Sequence, residues 1–132
     1  MKVVALDYGS ARTGVAVSDP TGTIARPLAV VERAASEAGL ARIAELVRAQ
    51  DAERVVVGLP LTLTGQRGAQ AQETEAFVEA LRQAVEVPVE SYDERFTTSL
   101  AASTGSDEAP EDARAAAHLL SSYLEWSSAA RG

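Results

Sequence analysis

The sequence of 132 residues predicts an α/β domain: a five-stranded mixed sheet, its first three strands antiparallel, flanked by helices. Three observations predict it. Residues 2–6 (KVVAL) and 54–59 (RVVVGL) are apolar at successive positions, as in strands buried on both faces. The links between the first three strand-like segments are short enough to be hairpins, which join antiparallel neighbours. Beyond the third segment, helical and strand periodicities alternate, the order that builds crossovers and parallel pairing.

In chain order, the first strand ends at Asp7 and Gly9. A second strand covers residues 14–18 (GVAVS). A turn follows at 19–22, where DPTG places proline and glycine favourably and makes Asp19 a turn residue. A third strand lies near residues 23–31. Leu40, Ile43, Ala44 and Val47 then fall at helical spacing, with Arg42, Glu45 and Arg48 off that face. The strand at 54–59 is closed by Pro60, and LTLTGQRG at 61–68 is a polar loop with two glycines. A helix from about residue 69 to 84 buries Ala76, Phe77, Ala80 and Leu81. Residues 88–92 (PVESY) form a short last strand, Thr97 starts a short helix, and residues 104–109 form a loop. Pro110 suits the first turn of the final helix. There Asp112, Ala116, Leu119, Tyr123 and Trp126 repeat at steps of four and three, so one face carries an acid at its N-terminal end and an aromatic-rich stripe beyond it. The order is β-β-β-α-β-α-β-α within one domain, residues 1–132, with no internal repeat or linker.

Composition bounds the function. A hydrophobic content of 46% supports a core, and there is no apolar run of transmembrane length. The start MKVVALDYGS does not read as a signal peptide, because the charge is followed at once by a strand ending in an acid. Zero cysteines exclude disulfides and thiolate metal sites, in keeping with a cytoplasmic protein without membrane attachment. The net charge of −7 runs against nucleic-acid binding, which favours basic surfaces, unless arginines gather on one face or metal neutralises the acids.

Three acids stand where an acid calls for explanation. Asp7 follows a buried strand, Glu94 follows the last strand, and Asp112 opens the last helix. If the first and last strands lie close in one sheet, their ends bring Asp7 and Glu94 together and the helix delivers Asp112. Clustered carboxylates raise one another's pKa, and a divalent cation relieves the repulsion. Hard oxygen donors without Cys or clustered His favour Mg²⁺ or Mn²⁺ over Zn²⁺. Such ions serve in-line phosphodiester displacement. Plainer roles stay open: Asp7 as a turn aspartate, Asp112 as a helix-dipole partner, Glu94 paired with Arg95 or another arginine. Asp93 should point away from Glu94 on an extended chain. His118, the single histidine, reads as a surface or packing residue.

Four segments occur in order: DYGSARTGVAVSD at 7–19, VVGLPLTLTG at 56–65, DERFTT at 93–98 and DARAAAHLLSSYL at 112–124. Together they resemble the YqgF family, also called RuvX, over essentially the whole chain. The resemblance implies an RNase H-like fold in a bacterial cytoplasmic nuclease that processes the 5′ end of precursor 16S ribosomal RNA, or alternatively resolves Holliday junctions. It matches Asp7 to the acid ending the first strand, Glu94 to the glutamate of an E-R-L-T-T motif and Asp112 to the aspartate opening the last helix. These three would be the catalytic metal ligands for Mg²⁺ or Mn²⁺. Gly9 and Arg12 match the turn after the first strand, and Arg95 and Thr97 follow the matched glutamate. Phe96 replaces a usual leucine. Nothing basic lies between Arg95 and Asp112, where relatives commonly carry a lysine.

Metal-dependent phosphodiester hydrolysis on precursor rRNA or branched DNA is therefore the leading expectation. Asp7, Glu94 and Asp112 would hold the metal. Gly9, Arg12, Arg67, Arg95 and Thr97 would contact substrate, with Arg67 equally readable as a solvated loop residue. The protein would act as a monomer or homodimer. Two other classes compete. DYGSARTG also resembles the phosphate loop of the actin and sugar-kinase superfamily, but that chemistry needs two lobes and this chain supplies one. A non-catalytic RNA-binding module suits the acidic charge and predicts binding without cleavage.

Overall fold

The computed structural model describes residues 1–61, 68–96 and 109–131. Their elements are β1 (Val3–Asp7), β2 (Arg12–Ser18), β3 (Ala25–Glu32), α1 (Glu37–Ala49), β4 (Arg54–Leu59), α2 (Ala69–Ala84), β5 (Val89–Asp93), a 3₁₀ turn (Glu94–Phe96) and α3 (Glu111–Arg131). Among the described residues the order is the expected one, with the 3₁₀ turn added. The expected helix start at Thr97 and the loop at 61–68 fall largely outside them.

The sheet runs β3-β2-β1-β4-β5. β1 is antiparallel to β2, and β2 to β3, as the hairpin links predict. β1 is parallel to β4, and β4 to β5, so the carboxyl ends of these three strands share one edge. β1 and β5 are separated by β4 alone. Direction changes at β1, the kind of place where open α/β sheets gather ligands.

Side chains alternate along a strand, so one strand feeds two cores. Val4 and Leu6 of β1 join Val15, Val17, Val55 and Val57 against Ile43 of α1 and Phe77 of α2. Val3 and Ala5 join Ala16, Ala25, Val56 and Tyr92 against Ala116, Leu120 and Tyr123 of α3. The second interface is rich in alanine, which lets α3 lie close to the sheet. Its far end is tied by polar contacts. Arg54 donates to the Tyr123 hydroxyl at 2.9 Å, Tyr123 donates to Glu90, and Tyr92 and Ser122 hydroxyls meet at 2.9 Å.

One expectation about faces needs correction. α2 buries Ala71, Thr74, Phe77, Val78 and Leu81, whereas Ala76 is exposed and Ala80 half-buried. The stripe is rotated because the Thr74 hydroxyl satisfies itself on the Gln70 carbonyl at 2.9 Å and so tolerates burial. On α3, Ala116, Leu119 and Tyr123 are buried, but Trp126 stays 50% exposed at the rim of the Tyr92–Tyr123 aromatic cluster. Asp19 closes the β2–β3 turn as expected, accepting from the Thr23 and Ile24 amides at 2.8 and 3.0 Å. No helix is long and apolar enough to cross a membrane among the described residues.

Candidate active site

The shared edge of β1, β4 and β5 carries the acids. Asp7 is the last residue of β1 and lies on the same side of the strand as Val3 and Ala5, the α3 side. Glu94 begins the 3₁₀ turn directly after β5. The turn is held by Asp93, whose carboxylate accepts from the Arg95 amide at 2.9 Å and from the Arg95 guanidinium at 2.6–3.1 Å. That leaves Glu94 to swing back over β4 to Asp7, with which it shares a side-chain hydrogen bond. The plainer expectation for Glu94, a pair with Arg95, is not what forms: Arg95 belongs to Asp93, and that ion pair lowers the pKa of Asp93.

Asp112 stands in the first turn of α3, where the helix dipole favours an acid. Its carboxylate meets Arg12 Nε at 3.3 Å, and its charge reaches Asp7. Gly9 and Arg12 bound the turn that leaves β1. The Gly9 amide donates weakly to the buried Thr13 hydroxyl at 3.3 Å. A side chain at Gly9 would put its Cβ 2.5 Å from the Arg12 carbonyl oxygen, so the turn closes only around a glycine.

Electrostatics follow from this packing. Burial raises the pKa of Asp7, the Asp112 charge raises it further, and the bond from Glu94 partly offsets both. Burial also raises Glu94, to about 7, with the Asp7 charge, the bond to Asp7 and the Asp93 charge acting in the same direction. A consistent picture is a carboxyl–carboxylate pair in which Glu94 holds the proton and donates it to Asp7.

The structure thus brings Asp7 and Glu94 into contact and Asp112 into electrostatic range. Among the described residues, no group of three or more His, Cys, Asp or Glu side chains is gathered closely enough to hold a metal ion, and Asp112 faces Arg12. Of the substrate candidates, Gly9, Arg12 and Arg95 line this edge, the two arginines each paired with an acid. Arg67 and Thr97 lie outside the described residues. Sequence reasoning passed over Gly14 and Gly58, which flank Asp7 in the neighbouring strands; the signal available was glycine inside an otherwise apolar strand.

Known proteins agree with this architecture. Residues 1–126 match the model of a family described as RuvX, Holliday junction resolvase. A relative from Chloroflexus aurantiacus, described as "Putative pre-16S rRNA nuclease", is 39% identical over 131 residues, covering 93% of this chain and 86% of its own. One with the same description from Anaeromyxobacter sp. is 42% identical over 133 residues, covering 95% and 97%. Among solved structures, Thermus thermophilus RuvC in complex with a Holliday junction substrate superposes with a TM-score of 0.69 at 19% identity, covering 97% of this chain and 95% of that one. That likeness fixes the fold as RNase H-like. With a family match across nearly its whole length and close relatives of similar size, the chain belongs to the RuvX family of nucleases.

Proposed function

We propose that this protein is a cytoplasmic, divalent-metal-dependent nuclease that processes the 5′ end of precursor 16S rRNA. The observation that carries it is the Asp7–Glu94 pair: two acids 87 positions apart in sequence, held in hydrogen-bond contact at the sheet edge, with Asp112 in range. The names of the relatives supply the substrate.

The donor set fits a hard divalent cation. Only carboxylate oxygens are offered, and the proton that Glu94 and Asp7 share marks a place where positive charge lowers the energy. Asp7, Glu94 and Asp112 would hold Mg²⁺ or Mn²⁺, which when bound supplies Lewis acidity and an activated water for phosphodiester hydrolysis. The remaining work falls to this chain. Arg12 would exchange its Asp112 partner for a substrate phosphate, and Arg95, anchored on Asp93, would steady the Glu94 turn while facing the strand. Gly9 keeps the turn beside Asp7 low, so that a phosphate can approach. Arg67 and Thr97 complete the proposed substrate contacts. A single domain carries all of these groups.

Cleavage of precursor 16S RNA with Mg²⁺ or Mn²⁺ is the test. Wild type should cut, and Asp7→Asn should be slower by at least about 100-fold, the scale of a lost charge-stabilising group. Equal rates would remove Asp7 from catalysis. A second reading, resolution of Holliday junctions, is favoured by the description of the matching family. A junction substrate in the same assay decides between them. Binding without cleavage under every metal condition would leave a non-catalytic RNA-binding module.

A further inference from the structure

The two strands beside Asp7 each carry a glycine next to it. Alternation puts Gly14 and Ala16 of β2, Ala5 and Asp7 of β1, and Val56 and Gly58 of β4 on the face covered by α3. Asp7 pairs with Gly14 across the antiparallel ladder. On the other flank Leu6 pairs with Val57, which brings Gly58 level with Asp7. The buried apolar residues of β1, β2 and β4 on this face are alanine or valine, and glycine inside a strand is destabilising against alanine. Neither glycine has the positive φ that would demand its conformational freedom. Space demands it instead. A Cβ at Gly14 would lie 1.8 Å from the Asp112 carbonyl oxygen and 2.3 Å from its carbon. A Cβ at Gly58 would lie 2.8 Å from Glu94 Oε1, 3.0 Å from Glu94 Cγ and 3.0 Å from Leu119 Cδ2.

We propose that Gly14 and Gly58 are positioning residues that set the separation of the three acids. They are two notches, one on each side of Asp7. The Gly14 notch admits the backbone of the first turn of α3 and so sets how close Asp112 comes. The Gly58 notch admits the Glu94 side chain and lets it reach Asp7 across β4. Each notch serves a different acid, and each acid arrives from a different element. The consequence for metal binding rests on the nuclease reading above; the placement of the carboxylates does not.

The test is Gly58→Ala, because the atoms its Cβ meets are side-chain atoms that can move without unfolding the protein. Its crystal structure should show the Asp7–Glu94 hydrogen bond broken. Calorimetric titration with Mn²⁺ should show affinity lower by about 10–100-fold, the usual cost of disturbing the groups that orient metal ligands. The melting temperature should stay within a few degrees of wild type. Adding Leu119→Ala relieves only the leucine contact, so the double variant should not regain affinity. Gly14→Ala should move the first turn of α3 off the sheet, and if that variant does not fold, Gly58→Ala decides alone. An intact Asp7–Glu94 bond in Gly58→Ala, or affinity restored by Leu119→Ala, overturns the proposal and returns Gly58 to ordinary packing. If wild type binds no Mn²⁺ but the Gly58→Ala structure shows the bond broken, the positioning role stands and the metal-dependent reading falls.

Discussion

Glu94 and Asp7 make the protein sensitive to pH in a direction opposite to that of most surface carboxylates. Glu94 has a folded pKa of about 7 against an ordinary 4.5, and Asp7 is shifted the same way. A group raised on folding contributes its full stability below its unfolded pKa and loses it as pH rises through the folded one. Without metal, the protein should therefore weaken between about pH 4.5 and 7–8. Glu94→Gln, which cannot ionise, should be more stable than wild type at pH 8 in EDTA by about 1–2 kcal/mol, a full shift at about 1.4 kcal/mol per unit being discounted for partial exposure. At pH 5 the advantage should vanish. Denaturant melts at the two pH values check this, and an equal difference at both would mean that the pair does not share a proton. The acids themselves were legible in the sequence, since an acid after a buried strand is conspicuous. Which acid each arginine would choose was not: Arg95 lies beside both Asp93 and Glu94, and only the 3₁₀ turn sends it to Asp93.

Elements form where local chemistry is unambiguous. β4 and α2 were readable to the residue, because Pro60 closes the strand and a continuous helical pattern runs between Gly68 and Val85. The 3₁₀ turn at Glu94–Phe96 was not readable, since three residues carry no period and the turn depends on the Asp93 side chain. The face of α2 was misjudged because buried threonine looks polar in a sequence while its hydroxyl is satisfied within the helix. At α1, Ser36 caps the helix by accepting from the Gly39 amide at 3.0 Å. Ser36→Ala should cost about 1 kcal/mol without changing cleavage, because the cap lies at the edge of the α1–α2 layer. Tyr123→Phe should cost about 1 kcal/mol through the lost bonds to Arg54 and Glu90. Both are read by denaturant unfolding, and a Tyr123→Phe variant as stable as wild type would make those bonds incidental to α3 docking.

Over the whole molecule, the net charge of −7 opposes an anionic substrate. The objection is local as well as global, because both described arginines proposed to touch substrate are paired with acids. On the proposed function, a cation at the Asp7 edge would reverse the local field, and Arg12 would exchange Asp112 for the substrate. Ca²⁺, which commonly occupies such oxygen sites, should strengthen binding of structured RNA by at least about tenfold in wild type and much less in Asp7→Asn. Fluorescence anisotropy at fixed ionic strength measures it. An equal gain in both proteins would assign the effect to general screening.

The topology also has a consequence in time. The candidate site needs residue 7 from the first strand, residue 94 after the last strand and residue 112 from the final helix, and β1 must pair in parallel with a strand some fifty positions later. Such non-local pairings are slow to close, and synthesis delivers Asp112 after every strand has been made. A partly synthesised chain, still on the ribosome, therefore holds an incomplete set of acids. On the proposed function, an enzyme that cuts the ribosome's own RNA would stay inert until helix α3 has been released and docked.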